Sequence, residues 1–143
     1  MAVELDKLKK FVALALEEDV QEGDHTSLST INEGAHGEAK LLVKDHGILA
    51  GVAVAEDIFQ LIDPRLTLDI YIKDGATVMP GDVAFYVKGD VHSILKAERL
   101  VLNVMQRMSG IATRTAAYAE KLIGTKAKVL VTRKTTPLLR FLE

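Results

Sequence analysis

Apolar residues recur along the chain with two different spacings, and the alternation between these spacings predicts the order of helices and strands. Residues 4–18 and 52–62 carry apolar positions every third or fourth residue, which is typical of helices with one buried face. Strict alternation of apolar and polar positions predicts half-buried strands at 38–44, 66–73 and 83–87, separated by Gly and Asp turns. Together these elements predict an α+β domain, in which helices cover one face of a small, mostly antiparallel sheet.

Residues 93–108 predict a further helix, and its polar face holds candidate functional residues. At about 100° per residue, apolar side chains cover one broad face. Three polar side chains share a narrow arc opposite that face: Arg99, Asn103 and Gln106. An exposed helix face is the alternative interpretation, but Glu and Lys suit such a face better than Asn and Gln. A second helical stretch over 112–123 ends at Gly124, and it joins the first only if the helix continues through Ser109-Gly110.

The most informative polar segment follows a short apolar run, residues 127–131, which predicts a strand buried on both faces. This strand leads into the sequence TRKTTP at 132–137, where Thr136 before Pro137 predicts the start of a helix. A guanidinium, an ammonium and a helix N-terminus placed together favour a carboxylate or phosphate ligand. The alternative is a solvated basic loop that only caps the helix.

Charge is divided unevenly along the chain, although the net charge is only −2. Residues 1–93 hold 8 basic and 17 acidic side chains, whereas residues 94–143 hold 10 basic and 3 acidic ones. This division predicts an anionic partner for the basic part, the acidic surface of a second subunit, or neutralisation within the chain. Few aromatic residues accompany the basic ones, so a nucleic-acid partner is not expected.

The absence of cysteine excludes disulfides and thiolate zinc sites and is typical of a reducing, cytosolic compartment. The chain has no apolar run of about 18 residues that would predict a membrane span, and its first ten residues lack the apolar core of an export signal. We therefore expect a cytoplasmic protein without a membrane partner. The four histidines lack metal-ligand spacing, and no glycine-rich phosphate loop is present.

Several motifs, in order along nearly the whole chain, resemble those of the quinolinate phosphoribosyltransferases, also called carboxylating nicotinate-nucleotide pyrophosphorylases. The motifs are EDV at 18–20, GDHTS at 23–27, GILAG at 47–51, ERLVLN at 98–103, QRMSGIAT at 106–113 and TRKTTP at 132–137. Members of this family are pentosyltransferases of NAD biosynthesis. They join quinolinate to the ribose of phosphoribosyl pyrophosphate (PRPP) with Mg²⁺, and they release pyrophosphate and CO₂ to give nicotinate mononucleotide.

The resemblance implies an N-terminal α/β sandwich over residues 1–110 and the beginning of a C-terminal α/β barrel, including its first strand, over residues 111–143. It also implies homodimers or larger assemblies in which the neighbouring subunit completes each active site. Arg99 is implied to reach across the dimer interface to the substrate. Thr132, Arg133 and Lys134 are implied to bind quinolinate carboxylates and phosphate, and the Mg²⁺ ligands are expected in later parts of the barrel.

Two residues depart from the family pattern, since Val131 replaces a common aspartate and Leu138 a common glycine. Val131 would remove a polar contact at the strand end, and Leu138 would crowd a close backbone approach. Members continue for about another domain beyond the position that matches Glu143, so we expect these 143 residues alone to be inactive.

Two rival functions are left open by the sequence. The first is that of a near relative, a nicotinate phosphoribosyltransferase or the molybdenum-transport-associated homologue. The second belongs to another class, a biotinyl- or lipoyl-like carrier module, whose turns the Asp74-Gly75 segment resembles. Such a carrier needs an exposed lysine at a hairpin tip, and no lysine lies within a tight turn here apart from Lys73 beside Asp74, which is predicted to end a strand.

Overall fold

The computed structural model describes residues 5–20 and 31–143. Within these ranges the elements are α1 (Leu5–Val20), β1 (His36–Leu42), β2 (Gly47–Ile48), α2 (Val52–Ile62), β3 (Thr67–Ile70), β4 (Thr77–Val78), β5 (Val83–Asp90) and α3 (Val91–Glu120). The predicted end of the first helix near Gly23 and the motif at 23–27 lie outside the described residues. In the described part of the chain, no helix is long and apolar enough to cross a membrane.

The main sheet has three antiparallel strands in the order β1-β5-β3, which confirms the predicted α+β class. His36 lies opposite Asp90 in one pair of strands, and Thr67 lies opposite Lys88 in the other. On the exposed face of the sheet, Lys88 Nζ lies 2.8 Å from Asp69 and 3.1 Å from Glu38, so one ammonium joins all three strands. These two carboxylates raise the pKa of Lys88 above its usual value.

The core is mainly aliphatic, as expected from a chain without tryptophan. Its most completely buried large side chains come from α1, α2, β5, α3 and the segment before β3: Leu8, Ile58, Phe85, Val101 and Leu66. Packing of α3 against the sheet, against α2 and against α1 buries this set. The long helix is therefore fixed along the part that carries Arg99 and the rest of the polar arc.

The loop around β2 is joined to α3 by two hydroxyl groups. Ser109 Oγ accepts the Ala50 N–H at 2.9 Å and lies 3.1 Å from the Ala50 carbonyl, while Thr113 Oγ1 accepts the Ile48 N–H at 2.8 Å. A Cβ at Gly47 would lie 2.5 Å from Thr113 Oγ1, so only glycine fits there without movement. Two motifs of the family resemblance, GILAG and QRMSGIAT, thus meet as one packing unit.

Carboxylates from outside each helix cap the N-termini of α2 and α3. Gly51 precedes α2 in a left-handed conformation and has no side chain to cap it, so Asp74 accepts the Val52 N–H at 2.7 Å from 22 residues away. At α3, Asp90 accepts the Ser93 N–H at 2.8 Å. Both carboxylates lie where the helix dipole favours negative charge. The turn that contains Asp74 therefore has a structural role in this chain.

A buried carboxylate, that of Asp63, lies at the C-terminal end of α2. Asp63 is 5% exposed, and Arg65 binds it at two points, with Nε and Nη2 each 2.9 Å from a carboxylate oxygen. Ser93 Oγ lies 2.9 Å from Asp63 Oδ2, which connects the network to the first turn of α3. Hydrogen bonds from Arg65 hold the pKa of Asp63 well below its usual range.

The predicted helical stretches over 93–108 and 112–123 form one helix, α3, which continues through Ser109-Gly110 without a break. Its regular part ends at Glu120, and turns lead to Gly124, whose φ of 81° ends the helical course.

Two expectations for the C-terminal part were wrong. Residues 127–131 form no strand, and Val131 is 93% exposed, because no described residue pairs with them. A strand buried on both faces needs partners at both of its edges. Residues 137–142 form hydrogen-bonded turns instead of an α-helix after Thr136, since Leu138 has a φ of 69° and so leaves the right-handed helical region.

Candidate functional site

A groove of about 730 Å³ runs between α1, α3 and the turns of the C-terminal segment. Apolar side chains of all three elements form its floor: Phe11, Ala15, Leu100, Val104, Met108, Leu139 and Leu142. Polar and charged side chains line it as well: Glu18, Asp19, Arg99, Asn103, Gln106 and Arg107. An apolar floor with a few polar and ionic groups is typical of a small-molecule site.

All three residues of the predicted polar arc, Arg99, Asn103 and Gln106, line this groove. Helical spacing places them along one face of α3, as the sequence indicated. They are exposed, so the arc is accessible from solvent and also borders an apolar surface.

Arg99 is held at the groove by the C-terminal end of α1. Its Nη1 donates to Asp19 Oδ1 at 2.7 Å, and its side chain is 70% exposed. No role for Asp19 was predicted from the sequence. Eighty residues separate the two partners, so no local pattern could have indicated the pair.

The other predicted site residues, Thr132, Arg133 and Lys134, are exposed and do not line the groove. Thr132 Oγ1 accepts the Lys134 N–H at 3.3 Å. The structure therefore does not bring Arg133 and Lys134 together with Arg99 in one groove of the same chain.

Arg107, which the sequence analysis also left without a role, connects α3 to the C-terminal segment. Its guanidinium donates to Thr136 Oγ1 and to the Glu143 carboxylate, and the Thr136 N–H donates to the same carboxylate at 2.9 Å. The Thr136 N–H and the Arg107 guanidinium lower the pKa of Glu143, and they outweigh its partial burial.

The Mg²⁺ implied by the family resemblance finds no fitting residues in the described part of the chain. Nowhere in residues 5–20 and 31–143 do three His, Asp or Glu side chains come together in a way that could hold a metal ion. Mg²⁺ prefers several oxygen ligands in near-octahedral arrangement. Residues 5–20 and 31–143 therefore supply no complete set of ligands for this ion.

Comparison with known protein families decides the assignment. The family model described as the quinolinate phosphoribosyl transferase N-terminal domain matches residues 24–109, and the model of the C-terminal domain matches residues 111–143. The chain belongs to the quinolinate phosphoribosyltransferase family. The boundary between the two matches falls within α3, next to Gly110. Membership argues against the carrier alternative, as does the use of the Asp74 turn to cap α2.

Named relatives of this family match nearly the whole chain. Quinolinate phosphoribosyltransferase [decarboxylating] 1b of Nicotiana tabacum is 47% identical over 137 residues, which are 95% of this chain and 39% of that protein. The probable nicotinate-nucleotide pyrophosphorylase [carboxylating] of Bacillus subtilis is 39% identical over 96% of this chain and 47% of its own length. The chain thus spans less than half the length of these relatives.

Solved structures of the family have the same fold. The crystal structure of NadC from Streptococcus pyogenes superposes with a TM-score of 0.89 at 37% identity and covers 94% of this chain and 49% of its own. The nicotinate-nucleotide pyrophosphorylase of Francisella tularensis superposes with a TM-score of 0.89 at 32% identity, covering 98% of this chain and 49% of its own.

Proposed function

We propose that this chain is part of a quinolinate phosphoribosyltransferase, which transfers the phosphoribosyl group of PRPP to quinolinate. The quinolinate nitrogen forms a bond to the anomeric carbon of ribose while pyrophosphate leaves. The ring carboxylate next to that nitrogen departs as CO₂, the ring carbon takes up a proton, and nicotinate mononucleotide results. The observation that carries the proposal is the match to a relative of this name over 95% of the chain at 47% identity.

Quinolinate carries two carboxylates and PRPP carries several phosphates, so the reaction needs a set of convergent cations. We assign quinolinate binding to Arg99, Arg133 and Lys134, with Thr132 beside them. A guanidinium grips a carboxylate at two points, and an ammonium adds a compact charge for the second carboxylate or a phosphate. A cation near the ring also stabilises the carbanion left by decarboxylation. The exposure of all three cationic side chains is compatible with this role.

The active site is proposed to lie between two subunits of a homodimer or larger assembly. Arg99 lies in a groove that Arg133 and Lys134 of the same chain do not enter. Cations that do not converge within one chain can converge between two, with Arg99 of one subunit serving the basic segment of its neighbour. This arrangement agrees with the one implied by the family resemblance.

PRPP is proposed to arrive with Mg²⁺, whose ligands we assign to parts of the barrel that follow the matched residues. We further propose a cytoplasmic location and no nucleic-acid or membrane partner. Some plant relatives are named as chloroplastic or mitochondrial, so the location is a property of each protein and not of the family.

A chimaera tests the proposed activity. Residues 1–143 replace the matching 47% of the Bacillus subtilis relative, and formation of nicotinate mononucleotide from quinolinate and PRPP is followed. We expect turnover with quinolinate and none with nicotinate, which is the substrate of the rival phosphoribosyltransferase. Turnover with nicotinate alone would contradict the proposal and support that rival.

Within the chimaera, Arg99→Ala tests the role of the groove. Loss of a charge-assisted contact costs about 1.5–3 kcal/mol, so kcat/KM for quinolinate should fall roughly 10- to 100-fold. Arg114→Ala is the matched control, because Arg114 is an exposed arginine on the same helix that does not line the groove. Equal losses for the two variants would refute the assignment of Arg99.

A further inference from the structure

The contacts of Arg107, Thr136 and Glu143 form a closed ring, which we call the clasp. Arg107 donates to both other residues, and the Thr136 N–H donates to Glu143 Oε2 at 2.9 Å. Each pair of members is joined directly, so removal of any one member leaves the other two with only their mutual contact. The clasp joins α3 to the first and last residues of the turns at 136–143.

Burial makes the clasp more than a surface ion pair. The Glu143 side chain is 7% exposed, and the neighbouring Leu142 is part of the core. Phe141 packs edge-on against Phe11 of α1, with ring centroids 5.8 Å apart. A carboxylate this buried is costly without a charged partner, so the guanidinium of Arg107 stabilises the docked turns in addition to these apolar contacts.

A second arginine, Arg140, connects the turns to the basic segment at 132–134. Arg140 Nη2 donates to the Arg133 carbonyl at 3.3 Å, and Arg140 Nε donates to Thr135 Oγ1 at 3.2 Å. Docked turns therefore hold the backbone of Arg133 and, next to it, that of Lys134. The clasp thus holds Thr136, and Arg140 of the same turns contacts Thr135 and the Arg133 carbonyl.

Arg99 and Arg107 of α3 have partners in different parts of the chain. Arg107 follows Arg99 by eight residues on α3, which is about 12 Å along the helix axis. Both line the same groove, yet the guanidinium of Arg107 binds the C-terminal segment and that of Arg99 binds α1. Helix α3 thus carries one arginine that contacts α1 and another that contacts the C-terminal segment.

We propose that Arg107 is a positioning residue, which acts through Arg133 and Lys134 by clasping their segment to α3. The inference rests on the proposed function, since it assumes that these two cations bind quinolinate. Arg107 itself touches no substrate in this account. Its side chain holds the backbone of the segment that carries Arg133 and Lys134.

Amide hydrogen exchange on the 143-residue chain tests the clasp without any ligand. Arg107→Ala should speed exchange at residues 134–143 at least tenfold and leave residues 91–106 of α3 unchanged. Arg107→Lys keeps the charge but not the fork, so it should give an intermediate rate, and Arg114→Ala should change exchange less than twofold. Unchanged exchange at 134–143 in Arg107→Ala would overturn the proposal.

A double-mutant cycle tests whether the effect passes through Arg133. Quinolinate affinity is measured by titration of the chimaera with the Bacillus subtilis relative, and Arg107→Ala is expected to lower it at least fivefold. In an Arg133→Ala, Lys134→Ala background the same change should lower it less than twofold. A fivefold loss in both backgrounds would overturn the positioning role, because Arg107 would then act on the ligand directly or through the whole fold.

The two measurements separate this inference from the proposed function. Wild-type binding of quinolinate together with unchanged exchange in Arg107→Ala would refute the clasp alone. Faster exchange in Arg107→Ala, together with a wild-type chimaera that does not bind quinolinate at millimolar concentration, would refute the proposed function. The positioning role would then fail with it, and the clasp would remain a structural contact only.

Discussion

Replacing Ser109 with alanine tests how the β2 loop is joined to α3. The change removes the hydroxyl that lies 2.9 Å from the Ala50 nitrogen and 3.1 Å from the Ala50 oxygen. Two hydrogen bonds at about 1 kcal/mol each give a loss of about 2 kcal/mol. The higher helix propensity of alanine offsets about 0.5 kcal/mol of this, so the free energy of unfolding should fall by about 1.5 kcal/mol.

Thr113→Val is the matched control for this prediction. It keeps the shape of the side chain and removes a single acceptor, that of the Ile48 N–H at 2.8 Å, so about 1 kcal/mol should be lost. Both variants are measured by equilibrium urea unfolding followed by far-ultraviolet circular dichroism, because the chain has no tryptophan to report by fluorescence. A loss for Ser109→Ala no larger than a few tenths of a kcal/mol would refute the two-bond role of this hydroxyl.

Two further predictions concern carboxylates. Asp74→Ala removes the remote cap of α2 and should lower the free energy of unfolding by about 1 kcal/mol, measured by the same urea titration; an unchanged midpoint would contradict the capping role. Asp63 has a lowered pKa because of Arg65, so its contribution to stability is present at neutral pH and is lost as pH falls below the usual Asp range. The Tm of Asp63→Asn should therefore lie below that of wild type at pH 7, and the two Tm values should converge in acid. A difference in Tm that stays constant with pH would contradict this linkage.

Local pattern was sufficient for most of the N-terminal domain. Alternation predicted β3 and β5, and helical spacing predicted α1, α2 and the arc of Arg99, Asn103 and Gln106. These predictions succeeded because each element buries one face against the core, so its apolar residues recur with the period of a helix or a strand. The Asp63-Pro64 stop of α2 is equally local, since proline cannot continue a helix.

Contacts between distant residues could not be found in this way. Asp19 pairs with Arg99 across 80 positions, and Asp74 caps α2 from 22 positions away. Both carboxylates have ordinary local surroundings, and only the fold gives them partners. The family resemblance marked residues 18–20 as a motif but could not say what Asp19 contacts.

In the C-terminal segment the prediction failed for a different reason. The local pattern is that of a buried strand, but the described residues include no strand that could pair with it. The apolar run at 127–131 is typical of a strand in the middle of a parallel sheet. In the described residues no neighbouring strand pairs with it, so Leu130 and Val131 remain exposed. Beyond them, the clasp of Arg107 and Glu143, and not a regular helix, orders the chain.

The most direct test of the central claim is a comparison of quinolinate and nicotinate by NMR titration of the chimaera that carries these 143 residues. The two ligands share a pyridine ring and differ by one carboxylate, which is the group that the proposed cations recognise. We predict that quinolinate shifts the amide signals of Arg99, Arg133 and Lys134, and that nicotinate shifts them much less. Equal shifts with both ligands, or shifts confined to other parts of the chain, would contradict the account.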